Sequence, residues 1–233
     1  MRQLLPTAEG EPDLVALYAE PALARVRGGF VLSVDGGAAV DGDSRALSGA
    51  ADRAVFRTLR ALCDVILVGA GTARVADYGT IRLTEQGVAW RTAEGLPPLP
   101  RVAVVSRSLD IDERVFAGER PVVVTCETAE VSRVADRADV IVAGTDAVDI
   151  ALALDLLAAR GLGRVLCEGG PTLLAAVLAA GRLDELCLTT TPLLVGRAPG
   201  LLPVGLDPPV GLRLRHLLEE DGTLVIRYDV TPE

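Results

Sequence analysis

The sequence predicts an α/β domain: a mixed, largely parallel sheet with helices on both faces and an antiparallel hairpin at its end. Three observations predict it. Apolar strand-like runs alternate with helix-like stretches, often through glycine turns. Val65-Ile66-Leu67-Val68 is an unbroken β-branched and leucine run, the mark of a strand buried on both faces. Near the end, two apolar runs flank Glu220-Asp221-Gly222.

In chain order, residues 1–26 hold a short helix around 14–18 with irregular flanks. A strand follows over 30–34, then a long glycine-rich, acidic loop over 35–49 that is suited to act as a lid. Ala51, Val55, Leu59 and Leu62 recur at helical spacing, so 51–63 is a helix with Ser48 as its cap. The strand at 65–68 ends in Gly69-Ala70-Gly71-Thr72, and 77–100 is expected to be an extended loop. Strands are predicted at 102–106, 121–125 and 140–142, with a helix near 129–137. A helix over 150–159, closed by Gly161, leads to a strand at 165–167 and a helix over 173–180. Strands over 183–190, 212–218 and 223–230 complete the sheet. No repeat, low-complexity tract or linker interrupts the pattern, so the expectation is one domain over 1–233, with 1–26 packed on it.

The 233 residues are 50% apolar but only 3% aromatic, so aliphatic strands and alanine-rich helices must supply the packing. A formal charge of −9 and scarce aromatics argue against a nucleic-acid surface. Lysine is absent, so any phosphate must be met locally, by arginine forks or backbone amides. Cys63, Cys126, Cys167 and Cys187 lie far apart in apolar surroundings with a single histidine in the chain, a pattern of reduced core cysteines in a cytoplasmic protein rather than a metal set. No apolar run approaches the ~20 residues of a membrane helix.

Glu168-Gly169-Gly170-Pro171-Thr172 follows a strand and opens a helix. Two glycines there allow close backbone approach, and the free amides of a first helical turn suit an anion such as a phosphate. The same run also fits an ordinary tight turn. In parallel sheets ligands bind beyond the carboxyl ends of strands, where Ser33-Val34-Asp35-Gly36, Gly69-Ala70-Gly71-Thr72, Ser106-Arg107-Ser108 and Glu168-Gly169-Gly170 all fall.

Those segments carry a resemblance. S-V-D-G at 33–36, L-R-A-L-C-D-V-I-L-V-G-A-G-T at 59–72, E-G-G-P-T-L-L at 168–174, L-D-E-L at 183–186 and the stretch 192–196 resemble, in order and spacing, the pyrimidine reductase family of riboflavin synthesis and, more distantly, dihydrofolate reductase. The resemblance implies a three-layer dihydrofolate-reductase-like fold and NADPH as hydride donor. It also implies a substrate, 5-amino-6-(5-phosphoribosylamino)uracil, whose ribosylamino group becomes ribitylamino. It places the pyrophosphate on Gly169, Gly170 and Thr172, with Gly69, Gly71 and Thr72 as a second cofactor loop. Ser106 and Arg107 would meet the 2′-phosphate, assisted by Arg74 or with Arg74 merely exposed. Asp52 either contacts the substrate ring and favours proton supply or only complements a helix dipole. Glu168, costly to bury beside a nucleotide unless it binds something, would contact substrate or nicotinamide. Arg82 would hold the substrate phosphate, with Ser33, Ser44 and Ser48 nearby, and Asp35 is set to cap its turn or touch substrate. His216 receives no chemistry.

The chain departs from the family at Gly37, where a basic residue commonly stands, and at Gly29, near the usual asparagine; both put the substrate in question. No H-x-E or P-C-x-x-C deaminase signature is present, so a separate deaminase is expected. The expectation is a cytoplasmic reductase of a small phosphorylated molecule, paired as a homodimer through aliphatic strands that would otherwise be exposed edges. A pterin reductase, or an NADPH-binding paralogue without catalysis, are the competing readings.

Overall fold

The structure, a computed structural model, describes residues 1–19, 24–203 and 205–231. The expected flank at 20–23 lies outside the described residues. The strands are β1 (Arg2–Leu5), β2 (Arg25–Ser33), β3 (Val65–Gly69), β4 (Arg101–Val105), β5 (Val122–Thr125), β6 (Asp139–Val142), β7 (Arg164–Cys167), β8 (Glu185–Thr191), β9 (Leu212–Glu220) and β10 (Thr223–Val230). The helices are α1 (Leu14–Tyr18), α2 (Ala50–Leu62), α3 (Ala70–Val75), α4 (Glu85–Ala93), α5 (Ile150–Ala158) and α6 (Pro171–Ala179).

All ten strands join one sheet, ordered β1-β9-β10-β8-β2-β7-β3-β4-β5-β6. From β8 to β6 every neighbouring pair is parallel, and β10, β9 and β1 add antiparallel strands at one side. Side chains of α2 and α3 pack on one face and those of α5 and α6 on the other, giving the three layers that the sequence predicts. The central strands are buried throughout, as their unbroken valine and leucine runs require. Asp221 and Gly222 both take positive φ, +49° and +80°, the backbone of a two-residue hairpin turn, and they close β9 onto β10, whose register shifts once, between Arg227 and Tyr228.

Four local expectations are corrected. Residues 1–5, expected as an irregular flank, supply β1, which pairs antiparallel with β9 and covers its edge. The predicted loop over 77–100 contains α4, capped by Thr84, whose hydroxyl accepts from the Gly87 amide at 3.1 Å. Buried Arg91 of α4 donates to the carbonyls of Ala61, Cys63 and Pro97, satisfying the end of α2 and the proline-rich turn. The expected helix near 129–137 shrinks to a 3-10 turn over Val131–Arg133, and Arg120 donates to the carbonyls of Ala135, Asp136 and Ala138 beyond it at 2.9, 2.7 and 2.7 Å. Finally Gly49, not Ser48, occupies the N-cap of α2.

At the amino ends of the parallel strands, Glu185 is fully buried and paired with Arg25, Arg27 and Arg227, fastening β2, β8 and β10 together. His216 sits in this region, edge-on to Tyr18 at 4.7 Å, and burial and Arg227 push its imidazole down to about 4. It is a neutral core histidine. The four cysteines are free and buried. Among the described residues no helix is long and apolar enough to cross a membrane.

Candidate active site

The two glycine turns meet. β7 and β3 are parallel neighbours, so Glu168-Gly169-Gly170 and Gly69-Ala70-Gly71 emerge side by side, and the Gly69 amide donates to the Gly169 carbonyl at 2.7 Å. Gly169 has φ +80° and joins Gly170 through a cis peptide. A Cβ on Gly169 would stand 2.7 Å from the Phe30 ring, and one on Gly170 would stand 2.9 Å from the Thr72 hydroxyl. No side chain fits at either position. Gly170 then caps α6 without a side-chain bond, Pro171 occupies the first turn, and the amides of Gly170 and Thr172 make no hydrogen bond among the described residues. These are free donors in a cradle that a Cβ would fill, which suits a pyrophosphate.

One strand further out, β4 ends at Ser106, which is buried, and Arg107, which is exposed. Arg107 makes no hydrogen bond or ion pair among the described residues, whereas Arg74 donates to the Asp110 carbonyl and carboxylate at 3.0 and 3.2 Å. Of the two arginines expected to meet the cofactor phosphate, Arg107 is the uncommitted one, and Arg74 is held by Asp110.

On the other side of β7, β2 and β8 carry a polar row beneath α2. Ser33, Thr189 and Thr191 are buried, with Ser33 in register with Thr191 and Thr189 two residues back along β8. Asp52 projects from the first turn of α2 and is only 2% exposed. Its Oδ2 accepts from the Ser48 hydroxyl at 2.5 Å, while Oδ1 is buried with no hydrogen-bond partner among the described residues. Burial pushes this carboxyl above its ordinary value against the pull of the Ser48 and Thr189 hydroxyls, and the nearby Glu168 carboxylate adds to the rise. Ser48 therefore serves the aspartate, not the helix end.

Glu168 does not face the ligand side with open oxygens. Arg60 of α2 donates to both of them at 2.7 Å and the Tyr78 hydroxyl donates to one at 2.9 Å, a tie between β7, α2 and the loop after α3. Reading the sequence misses Arg60 and Tyr78. They stand 108 and 90 residues from Glu168, and Arg60 sits in a helix where arginine passes for a surface residue until the fold brings β7 beneath it.

Asp35 is likewise engaged by hydrogen bonds. It reaches across to the segment after β8, accepting the Gly196 amide at 2.8 Å and the Val195 amide at 3.2 Å, with the Ser33 hydroxyl at 2.6 Å. These bonds hold its carboxyl down at about 2. Ser44 opens a 3-10 turn over Ser44–Ala46 in the loop between β2 and α2 and is exposed. Arg82 is exposed, without a hydrogen bond or ion pair among the described residues.

Two hollows lie elsewhere, at the amino ends of the parallel strands: one of about 30 Å³ lined by Tyr18, Arg27 and Trp90, and a wider one of about 430 Å³ against β9. The chemistry-bearing groups gather instead at the open carboxyl edge.

Comparison with known proteins shows the family. The family model described as the RibD C-terminal domain matches residues 25–225. A 2,5-diamino-6-ribosylamino-4(3H)-pyrimidinone 5′-phosphate reductase of Methanothermobacter thermautotrophicus is 37% identical over 210 residues, covering 85% of this chain and 94% of its own length. The riboflavin biosynthesis protein RibD of Mycobacterium tuberculosis is 33% identical over 72% of this chain, which spans 42% of that longer protein. Among solved structures, a pyrimidine reductase-like protein from Corynebacterium diphtheriae superposes with a TM-score of 0.81 at 27% identity, covering 94% of this chain and 99% of its own.

Proposed function

Because the chain belongs to the RibD C-terminal domain family, we propose that it is an NADPH-dependent reductase of riboflavin synthesis, converting 5-amino-6-(5-phosphoribosylamino)uracil to its ribitylamino form. The observation that carries this reading is the arrangement across β7. A cradle of two side-chain-free turns stands on one side, and a buried aspartate with an unpartnered oxygen stands on the other. Donor and acceptor would thus lie edge to edge over one strand, and positioning does most of the work.

NADPH, when bound, supplies the hydride that adds to C1′ of the ring-opened substrate. The chain's residues do the rest. Gly69, Gly169 and Gly170 let the backbone approach the pyrophosphate, and the Gly170 and Thr172 amides, the Thr72 hydroxyl and the Gly71 turn bind it. Ser106 and Arg107 select the 2′-phosphate, and uncommitted Arg82 holds the substrate phosphate. Asp52, kept protonated more readily by burial, holds a proton at Oδ1 for the nitrogen attached to C1′. Glu168, fixed by Arg60 and Tyr78, sets the turn at Gly169 and places a carboxylate near Asp52.

A specific observation favours a second substrate. In this second reading Asp52 meets the ring edge instead of holding the proton: its one unpartnered oxygen accepts from the 2-amino group, where the uracil presents a carbonyl. The Methanothermobacter relative is named for such a 2,5-diamino compound. The test is NADPH oxidation at the nicotinamide absorbance band with the uracil phosphate, the diaminopyrimidinone phosphate and dihydrofolate. Turnover of either phosphate, with Arg107→Ala weakened toward NADPH far more than toward NADH, supports the reading. Turnover of dihydrofolate alone, or of none while NADPH binds, refutes it.

The same reading includes one reductase domain acting as a cytoplasmic homodimer. The sheet face bearing Leu188, Ile226 and Tyr228, half-buried, continues into Leu212 and Leu214, 44% and 38% exposed, an apolar surface suited to a second copy. Four reduced, buried thiols suit a reducing compartment. A solution mass of one chain would refute the dimer.

A further inference from the structure

We infer that Asp35 is a positioning residue for the reaction: its carboxylate latches the segment 193–199 onto the root of the loop after β2 and so fixes the wall of the substrate half. The inference rests on the proposed reduction of a ribosylaminopyrimidine.

Asp35 is exposed, yet its two oxygens collect the Ser33 hydroxyl at 2.6 Å, the Val195 amide at 3.2 and 3.3 Å and the Gly196 amide at 2.8 Å. The strap is tied on either side of that latch, with the Val34 amide donating to the Leu193 carbonyl at 3.0 Å and the Ala38 amide to the Pro199 carbonyl at 2.7 Å. Between the ties it lies directly on Gly37, where a Cβ would collide with Val195 and stand 2.9 Å from the Ala198 methyl. The departure at Gly37 thus has a steric reason here: the strap occupies the space a side chain would need.

The anchor reaches the site. Ser33, which donates to Asp35, is 2% exposed and pairs with Thr191, two residues along β8 from the Thr189 that faces Asp52. Two loops, 34–49 and the segment after β8, therefore share one fastening at the end of the strands that floor the substrate half. Backbone amides bound to a carboxylate exchange slowly and hold geometry; released, they belong to two long surface loops.

The chemistry separates a latch from a charge. Asparagine can keep the whole arrangement, its carbonyl accepting the Val195 and Gly196 amides and its NH₂ donating to the Ser33 oxygen, whose proton then turns to the Gly37 carbonyl, 3.3 Å away. Alanine cannot. Gly37→Ala removes the strap without touching the carboxylate.

The experiment measures steady-state kinetics with the phosphorylated pyrimidine, NADPH dissociation constants, and hydrogen exchange at the Val195 and Gly196 amides, for wild type, Asp35→Ala, Asp35→Asn and Gly37→Ala. The expected result is a KM for the pyrimidine raised about tenfold or more in Asp35→Ala and Gly37→Ala, since small displacements in a positioned site are costly. NADPH affinity, set across β7, should stay within about twofold, and Asp35→Asn should stay near wild type. Exchange at the two amides should accelerate only in the alanine variants. Asp35→Asn as impaired as Asp35→Ala would overturn the latch in favour of a charge contact, as would unchanged exchange in Asp35→Ala. Accelerated exchange with unchanged kinetics would overturn the positioning role. A wild type that turns over no pyrimidine sinks the functional reading, and the exchange data still decide whether the latch exists.

Discussion

Asp52→Asn separates chemistry from stability at one atom. The wild-type carboxylate is 2% exposed, with one oxygen bonded to Ser48 and the other unpartnered. An unsatisfied buried polar group costs about 1–3 kcal/mol, and asparagine removes the charge while its carbonyl keeps the Ser48 bond. Its amide N–H₂ faces the same polar row, so the lower part of that range applies: a gain of about 1 kcal/mol, or roughly 2–4 °C in Tm for a chain of this size. The sign follows from burial. The folded carboxyl lies above the unfolded value near 3.9, so its contribution to stability is complete below about 3.9 and is lost as pH rises through the folded value. The advantage of asparagine should therefore grow from acid toward neutral pH. Turnover should fall about 100-fold or more if Oδ1 carries the proton. Thermal melts across pH, beside NADPH oxidation rates, read both effects. A variant no more stable than wild type at neutral pH refutes the buried-charge argument, and one that keeps its turnover refutes the proton role.

Gly170→Ala should weaken NADPH binding about tenfold, because the new methyl stands 2.9 Å from the Thr72 oxygen inside the cradle; a fluorescence titration showing unchanged affinity would place the pyrophosphate elsewhere. Glu185→Ala should cost about 3–5 kcal/mol in urea unfolding, since it removes the buried carboxylate that Arg27 and buried Arg227 share. For that glutamate burial alone would raise the carboxyl, but Arg27 and Arg227 outweigh it and hold it low, so the stability it gives is present above about 4.3 and lost as pH falls through the folded value. Thr84→Ala should cost about 1 kcal/mol through loss of the α4 cap, and an unchanged unfolding midpoint would mean that α4 is held by its packing on α2 alone.

The parallel core is legible in the sequence because its signals are local. β3 and β5 are unbroken aliphatic runs, the glycine turns mark where strands end, and Asp221-Gly222 writes its own hairpin. α4 is hidden because its sequence, Glu85-Gln86-Gly87-Val88-Ala89-Trp90-Arg91, has no apolar stripe. Its packing depends on a glycine that lets it approach Ala61 and on an arginine buried against carbonyls. The 129–137 stretch fails the other way: its local pattern favours a helix, but only a 3-10 turn over Val131–Arg133 forms, and the carbonyls after it are met by Arg120 from β5's leading turn.

The site divides along the same line. Backbone features such as the Gly169-Gly170 turn are specified by residues that are neighbours in the chain, so the turns of the proposed cofactor half are legible from the sequence alone. Carboxylates are different, because a carboxylate is defined by whatever donates to it. Asp52 finds Ser48 four residues away, Asp35 finds amides 160 residues on, and Glu168 finds Arg60 108 residues back. Three acids that look alike in the sequence thus become a buried acid with a free oxygen, a latch and a structural tie. Only the first leaves an oxygen without a hydrogen-bond partner, and for that reason the proposed chemistry is assigned to Asp52 and not shared among the three.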